Sequence, residues 1–307
     1  MNSYRGHTDD FSEPSNWSWL STILACPCCR AGLLVKPSML RCLSCGAEFI
    51  QLSDAWVNLY PEERAKNANE EWKQRQGEME GWYRNLILDR AQATACFHFD
   101  YSPYAVLLRG LTGCVLDLGG GIGVTRHFLT SATRYVVLDP SLDWLSADWT
   151  ILSEEFPCLS SIPCFVHGVG EQLPFRNGSF DAVTALWSLN HTRDPAGVLS
   201  EVHRILVPGG RFLVTLEDMI PRWNDTIFPS RRLRGECRWP RMFVRKARLA
   251  IRREPWPLQT DHVRILEGDI VTWTTGRFET KRREWIGQYL TFEFVRGERY
   301  PSTLRCD

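Results

Sequence analysis

The sequence predicts an α/β protein built on a doubly wound parallel sheet, preceded by a small cysteine-rich unit. Three observations carry that prediction. From about residue 105, apolar runs of strand length alternate with helix-length segments, as a parallel sheet covered on both faces requires. One of these runs, "VLDLGGGIGV" at 115–124, passes from an apolar strand through an acidic residue into a glycine-rich turn, where a ligand can come close to backbone. Five of the eleven cysteines crowd into residues 26–45, which in a chain of 307 residues points to metal rather than to a disulfide framework.

The bulk numbers bound the function. Hydrophobic residues make up 44% and charged residues 23%, enough apolar material for a sizeable core. The formal net charge is zero, so the molecule as a whole is not an electrostatic nucleic-acid binder. No run of 18 apolar residues marks a membrane span. The start, "MNSYRGHTDDFSEPSNWSW", is polar and acidic and lacks the charged and apolar regions of a signal peptide, so residues 1–19 read as a loose tail and the location as cytoplasmic.

Taken in order, the first unit spans 20–61. "LACPCCRAGLLVKPSMLRCLSCGAEFI" holds two CxxC pairs, Cys26/Cys29 and Cys42/Cys45, with twelve residues between them. Four thiolates on two tight turns can close a tetrahedral shell around Zn²⁺ and leave no open position, so the site reads as structural. Gly46 follows the second pair, where such a turn needs left-handed backbone. Cys28 is the surplus thiol; using it in place of Cys29 would give a CxC spacing. "LLVKPSMLRC" between the turns reads as a short hairpin. Residues 62–104 read as a connector of one or two helices, with Trp72, Met79, Trp82 and Tyr83 spaced for core or lid packing.

The main domain, 105–307, reads as strand 113–119, helix 124–132, strand 134–141, helix 143–152, strand 163–171, strand 180–189, helix 195–206 and strand 209–217. An insertion over 218–260 follows. Within it, residues 222–253 carry eleven Lys or Arg against two acids, interleaved with aromatics. That pattern suits a solvated amphipathic cap helix, a grip on an anionic small molecule, or a surface for RNA or membrane. A helix and two antiparallel strands close the chain.

Glycines at 119, 121 and 123 break the dinucleotide G-x-G-x-x-G spacing, because position 124 is valine, and no GK[ST] follows to make a P-loop. The G-x-G-x-G spacing after Asp117 resembles motif I of class I S-adenosylmethionine (SAM) methyltransferases. "YVVLDPS", "GVGEQLPFRNGSFDAV" and "EVHRILVPGGRFLV" resemble that family's later motifs in the right order, over roughly residues 110–217. The resemblance implies a Rossmann-like seven-stranded sheet and a SAM site at Asp117, Gly119, Gly121, Gly123, Asp139, Pro140, Val169, Gly170, Glu171 and Trp187. Asp139 ends the second strand, where a carboxylate can accept both ribose hydroxyls. Val169 stands where the family has an adenine-contacting aspartate, so the adenine amine needs a backbone carbonyl or Glu171. The cysteine unit resembles the zinc ribbons fused to, or partnering, methyltransferases of rRNA and tRNA, with Ala55 and Trp56 replacing a glycine and an apolar residue. His191, beside Asn190 after the fourth strand, and His262 are candidate bases; Glu217 and Asp218 are candidates to orient an acceptor.

The function expected is methyl transfer from SAM to a small molecule such as a sugar, a natural product or a polysaccharide precursor, with a phosphorylated acceptor included. Two alternatives stand beside it. One is an RNA base methyltransferase using the ribbon and the arginine-rich insertion, against which stand the neutral charge and the absence of an "NPPY"-type signature. The other is a SAM-binding partner protein without transfer.

Overall fold

The computed structural model describes residues 16–36, 38–53, 56–61, 70–86, 88–129, 134–145, 148–161, 163–217, 219–223, 239–254 and 263–297. His262, Asp218, Cys237, Cys306 and residues 224–238 of the arginine-rich insertion fall outside them, as do the side chains of Trp72 and Tyr83. Helix α1 (Asn16–Ile23) leads into four short strands, β1 (Leu33–Lys36), β2 (Met39–Cys42), β3 (Glu48–Ser53) and β4 (Trp56–Asn58). The connector is two helices, α2 (Glu70–Leu86) and α3 (Arg90–Tyr101), followed by the short α4 (Ala105–Arg109). Then come β5 (Cys114–Leu118), β6 (Arg134–Asp139), β7 (Cys164–His167), β8 (Phe180–Leu186), α5 (Pro195–Ile205) and β9 (Leu206–Leu216). Helices α6 (Trp239–Arg252) and α7 (Glu267–Thr274) and strands β10 (Phe278–Ile286) and β11 (Tyr289–Arg296) complete the described chain.

All eleven strands form one sheet in the order β1-β2-β3-β4-β7-β6-β5-β8-β9-β11-β10. The strands from β7 to β10 are the seven expected, parallel from β7 through β9, with β11 antiparallel to β9 and to β10. The expectation of a separate ribbon changes here. Its last strand, β4, pairs in parallel with β7 through Trp56–Phe165, Val57–Val166 and Asn58–His167, so the ribbon extends the main sheet. Val57 and Leu59 are fully buried, which is the apolar reason for the join. The expected hairpin is β1–β2, paired from Leu33–Cys42 to Lys36–Met39. Helix α1 crosses the boundary drawn between tail and ribbon at residue 19.

The sheet's period of two divides the core. Leu116, Leu118, Val136, Leu138 and Val166 point to the face covered by α5, whereas Val115, Tyr135, Val137 and Phe165 point to the face covered by α3 and α4. Helix α5 starts where Asp194 caps it by accepting from the Gly197 N–H at 2.9 Å, with Pro195 in the first turn. Val198, Leu199, Val202 and Ile205 then recur at helical spacing, all fully buried. Two helices expected from the sequence are replaced by short 3₁₀ turns. Residues 124–132 give one over Val124–Phe128, and 143–152 gives two, Asp143–Leu145 and Trp149–Leu152. In the second stretch both tryptophans turn inward, the Trp149 indole N–H donates to the Trp144 carbonyl at 2.7 Å, and Asp148 starts a new turn by accepting from the Thr150 N–H at 3.0 Å. Buried side-chain anchoring sets this backbone, not helical periodicity.

Candidate active site

Strand β5 sits between β6 and β8, and the chain leaves it in opposite directions to reach them, so a crevice opens beyond its carboxyl end. A cavity of about 550 Å³ fills that crevice. Gly119, Asp139, Pro140 and Val169 line one part of it, with Gly170 and Glu171 beside them. Trp187, Ser188, His191, Thr192 and Glu217, at the ends of β8 and β9, line the other. Of the residues expected from the sequence, Asp117, Gly121 and Gly123 do not line it.

The turn after β5 is built for close approach. Gly119, Gly121 and Gly123 all have positive φ, at 69°, 53° and 78°. A Cβ on Gly119 would stand 2.4 Å from the Cβ of Ser188, and the Ser188 hydroxyl donates to the Leu118 carbonyl at 2.6 Å, so the ends of β5 and β8 are held together there. Asp117 works from beneath. It is buried, accepts from the hydroxyls of Tyr135 and Thr184, and would lie 2.5 Å from a Cβ on Gly120. Burial raises its pKa despite those hydrogen bonds. Its role is therefore to shape the turn.

Asp139 is also buried but faces the cavity. One oxygen accepts from the Gly121 N–H at 3.0 Å; the other accepts from the Ser141 N–H at 2.9 Å and the Trp144 indole at 3.1 Å. Burial pushes its carboxyl up to about 7, against the opposing effect of these donors. Trp144 also forms one wall of a second, apolar cavity of about 290 Å³, shared with Trp56, Trp149 and Phe165. Glu171 holds the opposite lip, one oxygen accepting from the Arg193 and Asp194 N–H groups at 2.9 and 3.3 Å. Val169 is buried and extended, and presents no side-chain acceptor to an adenine amine.

At the other end, the His191 Nε2 lies 3.7 Å from a carboxylate oxygen of Glu217. Fully buried Asn190 holds that pair in place: its amide oxygen accepts from the Glu217 N–H at 3.1 Å, and its amide nitrogen donates to the Val263 carbonyl at 3.1 Å. Trp187 adopts φ +56°, an uncommon backbone for a large side chain, and its ring meets those of Tyr101, Tyr104 and Tyr289 edge-on at 5.2, 5.3 and 5.8 Å. Sequence reasoning missed the connector's share of this end. Cys96 and Asp100, one helical turn apart on α3, line the cavity with Tyr101, and the Cys96 thiol donates to Asp100 at 3.3 Å. Burial pushes the Cys96 thiol up to about 12 and raises the Asp100 carboxyl. Spacing alone gives these residues no motif. Met79 and Trp82, read as lid or core aromatics and their neighbours, do line the cavity with Glu78, and Gln76 ties α2 to the Pro140 carbonyl at 3.4 Å.

Residues 116–214 match the methyltransferase domain family Methyltransf_11. The match covers about a third of the chain and is to a methyltransferase domain. Among curated relatives, the ubiquinone/menaquinone biosynthesis C-methyltransferase UbiE of Rubrivivax gelatinosus is 31% identical over 119 residues, 36% of this chain and 41% of that protein. The demethylmenaquinone methyltransferase of Lactococcus lactis is 46% identical over 116 residues, 36% of this chain and 44% of that protein. The chain thus spans about two fifths of the length of these relatives. A solved structure, the 1,6-didemethyltoxoflavin-N1-methyltransferase of Burkholderia thailandensis with S-adenosylhomocysteine, is 15% identical with a TM-score of 0.47, covering 83% of this chain and 98% of that one. The matched segment runs from β5 through most of β9, the parallel part of the sheet.

Outside the domain match, the sulfurs of Cys26, Cys29, Cys42 and Cys45 all lie within 4.8 Å of one another. Two pairs stand at 3.7 Å (Cys26–Cys45) and 3.3 Å (Cys29–Cys42), against about 3.8 Å for the edges of a tetrahedron with 2.3 Å metal–sulfur bonds. The Cys42 sulfur accepts from the N–H groups of Ser44 and Cys45, both at 3.4 Å. Gly46 has φ +75°, and Arg30, at the matching place after Cys29, has φ +64°. The donor set fits a metal ion, and exposed Cys28 stands outside it.

Proposed function

We propose that this protein transfers a methyl group from SAM to a small molecule enclosed beneath α2 and α3. The observation that carries the reading is one cavity with two ends: a glycine cradle and a buried carboxylate at the end of β6, and an aromatic, acidic chamber at the ends of β8 and β9. Gly119 lines the cavity with bare backbone, Ser188 being packed where a Cβ would stand, and Asp139 has one of about four lone-pair directions open for a ribose hydroxyl. Pro140, Val169 and Gly170 form the wall for an adenine. When bound, SAM supplies an electrophilic methyl on a sulfonium. The chain's own work is to hold the acceptor in line with that methyl and about 3 Å from it, and to exclude water with α2. Glu217 and His191 stand where a proton leaving the acceptor can be taken.

The four thiolates of the ribbon are assigned to Zn²⁺ in a structural role, which suits a cytoplasmic, reducing compartment. An anionic acceptor fits poorly, because among the described residues lining the cavity five are acids and none is Lys or Arg. The same acids weigh against delivery of an RNA phosphate backbone to this mouth.

Calorimetric titration with S-adenosylhomocysteine, and with NAD in parallel, tests the reading. Micromolar binding of the former alone, lost in Asp139→Ala, is expected. No binding to the wild-type protein overturns it, and binding without turnover of any acceptor supports a non-catalytic partner instead.

A further inference from the structure

The acceptor end of the cavity has a composition that the methyl donor does not explain. Five carboxylates line the cavity, those of Glu78, Asp100, Asp139, Glu171 and Glu217, and among the described lining residues the only basic side chain is His191. Asp139 and Glu171 stand at the glycine-cradle end. Asp100 and Glu217 stand at the other, from two different elements, α3 and the turn after β9. They are close enough to repel one another, and the Glu217 charge adds to burial in raising the Asp100 carboxyl. The same two acids and burial raise the Tyr289 hydroxyl. Two carboxylates that repel one another across a chamber favour a positive group between them, beyond the imidazole of His191 that already stands 3.7 Å from Glu217.

Around these acids the walls are aromatic. Tyr101, Trp187 and Tyr289 stand on three sides, with Trp187 as the shared corner: its ring lies 5.2 Å from Tyr101 at 86° and 5.8 Å from Tyr289 at 65°. Rings set nearly perpendicular to one another present both faces and edges to a common space, the arrangement that stabilises an alkylammonium by cation–π attraction. Trp187 reaches its position through a positive φ that a tryptophan rarely adopts, so the chain accepts local strain to put an indole there. A phosphate would be repelled by these acids, and a neutral acceptor would leave their mutual repulsion uncompensated.

Resting on the methyl-transfer reading above, we propose that the acceptor is an amine, bound as its ammonium between Asp100 and Glu217 and inside the box of Tyr101, Trp187 and Tyr289. The ammonium gives one proton to the Glu217–His191 pair, which frees the nitrogen lone pair. The nitrogen then attacks the methyl carbon; the N–C bond forms as the C–S bond breaks, and that bond's electrons stay on the departing sulfur as a neutral thioether. The product nitrogen carries the positive charge, and the box holds it until release. Glu217 and Asp100 set specificity for charge, and the rings set specificity for an alkylated nitrogen.

The test uses the full chain saturated with S-adenosylhomocysteine, titrated with choline and with 3,3-dimethyl-1-butanol, which has the same shape with carbon in place of the charged nitrogen. Choline is expected to bind at least about tenfold more tightly, and the difference is expected to collapse in Asp100→Asn, Glu217→Gln and Tyr289→Leu. S-adenosylhomocysteine affinity in these variants should stay within about twofold of wild type, which also shows that they fold. Equal binding of the two probes, or no binding of choline, overturns the inference. So does a loss of S-adenosylhomocysteine affinity in the Asp100 and Glu217 variants, because those acids would then serve the donor's own ammonium. In all of these outcomes wild-type binding of S-adenosylhomocysteine stands, so failure of the amine assignment is separate from failure of the methyl-transfer reading.

Discussion

On the proposed reading, Asp139 should make S-adenosylhomocysteine binding depend on pH, and the dependence can be worked out from its surroundings. The carboxyl is pushed up to about 7 by burial, so in the ligand-free protein it is half protonated near neutrality. A ribose diol donates two hydrogen bonds and needs the ionised form. If only that form binds, affinity for S-adenosylhomocysteine falls from its plateau by about elevenfold at pH 6 and about thirtyfold at pH 5.5. Three of the carboxylate's four lone-pair directions are already filled, by Gly121, Ser141 and Trp144. A second ribose hydroxyl would therefore have to share an oxygen with one of these three donors or displace it. Asp139→Asn should bind about ten- to hundredfold more weakly at pH 8, from the loss of a charge-assisted acceptor at about 1.5–3 kcal/mol, and its affinity should no longer vary over pH 5.5–7.5. The sign for stability is the reverse of the usual carboxylate case. A folded pKa above the unfolded 3.8 means that the native state holds the proton more tightly, so Asp139 costs stability as pH rises from about 4 to 7. The ligand-free Asn variant should gain thermal stability relative to wild type over that range. Calorimetry at fixed ionic strength, with thermal unfolding alongside, reads both effects. A flat wild-type binding profile refutes the reasoning, and a slope that survives in Asp139→Asn assigns it to another group.

The remaining predictions concern the glycine cradle, the ribbon and their link. Gly119→Ala should abolish S-adenosylhomocysteine binding, because its Cβ would stand 2.4 Å from Ser188 at φ +69°; Gly209→Ala, at φ +77° with nothing within 4 Å, should cost only about 1 kcal/mol of backbone strain in thermal unfolding and leave binding intact. Cys42→Ser should abolish stoichiometric zinc, read by elemental analysis, and lower Tm by about 5 °C or more, whereas Cys28→Ser should do neither. Glu201→Ala should cost about 3–5 kcal/mol in urea unfolding, because it removes the counter-charge of the largely buried Arg204, which keeps only neutral acceptors, and the acceptor of the Leu173 N–H; Arg30→Ala, removing a partner whose side chain is 58% exposed, should cost less than about 1 kcal/mol.

What the sequence shows and what it hides follow from how far apart the interacting residues lie. The strands around Asp117 and Asp139 could be read because their apolar runs and the turn after them are local, and the cysteine cluster because each CxxC pair lies within one short turn. The 3₁₀ turns at 143–152 could not, since the backbone there follows two indoles whose anchors are the Asp139 carboxylate and a carbonyl within the same segment. The acceptor chamber was hidden for the same reason. Cys96, Asp100 and Tyr289 belong to no motif and meet only when α3 and β11 pack over the ends of β8 and β9.

The ribbon shows the largest gap between pattern and role. Its cysteines announce a metal unit, but nothing in their spacing says that β4 will join β7. That pairing places Asn58 Oδ1 2.9 Å from the His167 Nδ1, and His167 Nε2 donates to the Pro140 carbonyl at 3.0 Å, directly behind the residue that follows Asp139. Tyr60 stacks on the same imidazole at 4.8 Å, and Arg30, in the first cysteine turn, bonds to Glu201 on α5 at 2.6 Å. The ribbon is thus fastened to both ends of the cofactor side, at the segment after β6 and at the helix that packs on Gly170 through Val198. An element fastened in that way acts on the donor site through position alone. Loss of the metal should therefore weaken S-adenosylhomocysteine binding severalfold, and Asn58→Leu, which leaves all four thiolates in place, should reproduce that loss with zinc still bound. If Asn58→Leu binds as wild type while the chelated protein does not, the coupling runs through Arg30 and α5 instead of through His167.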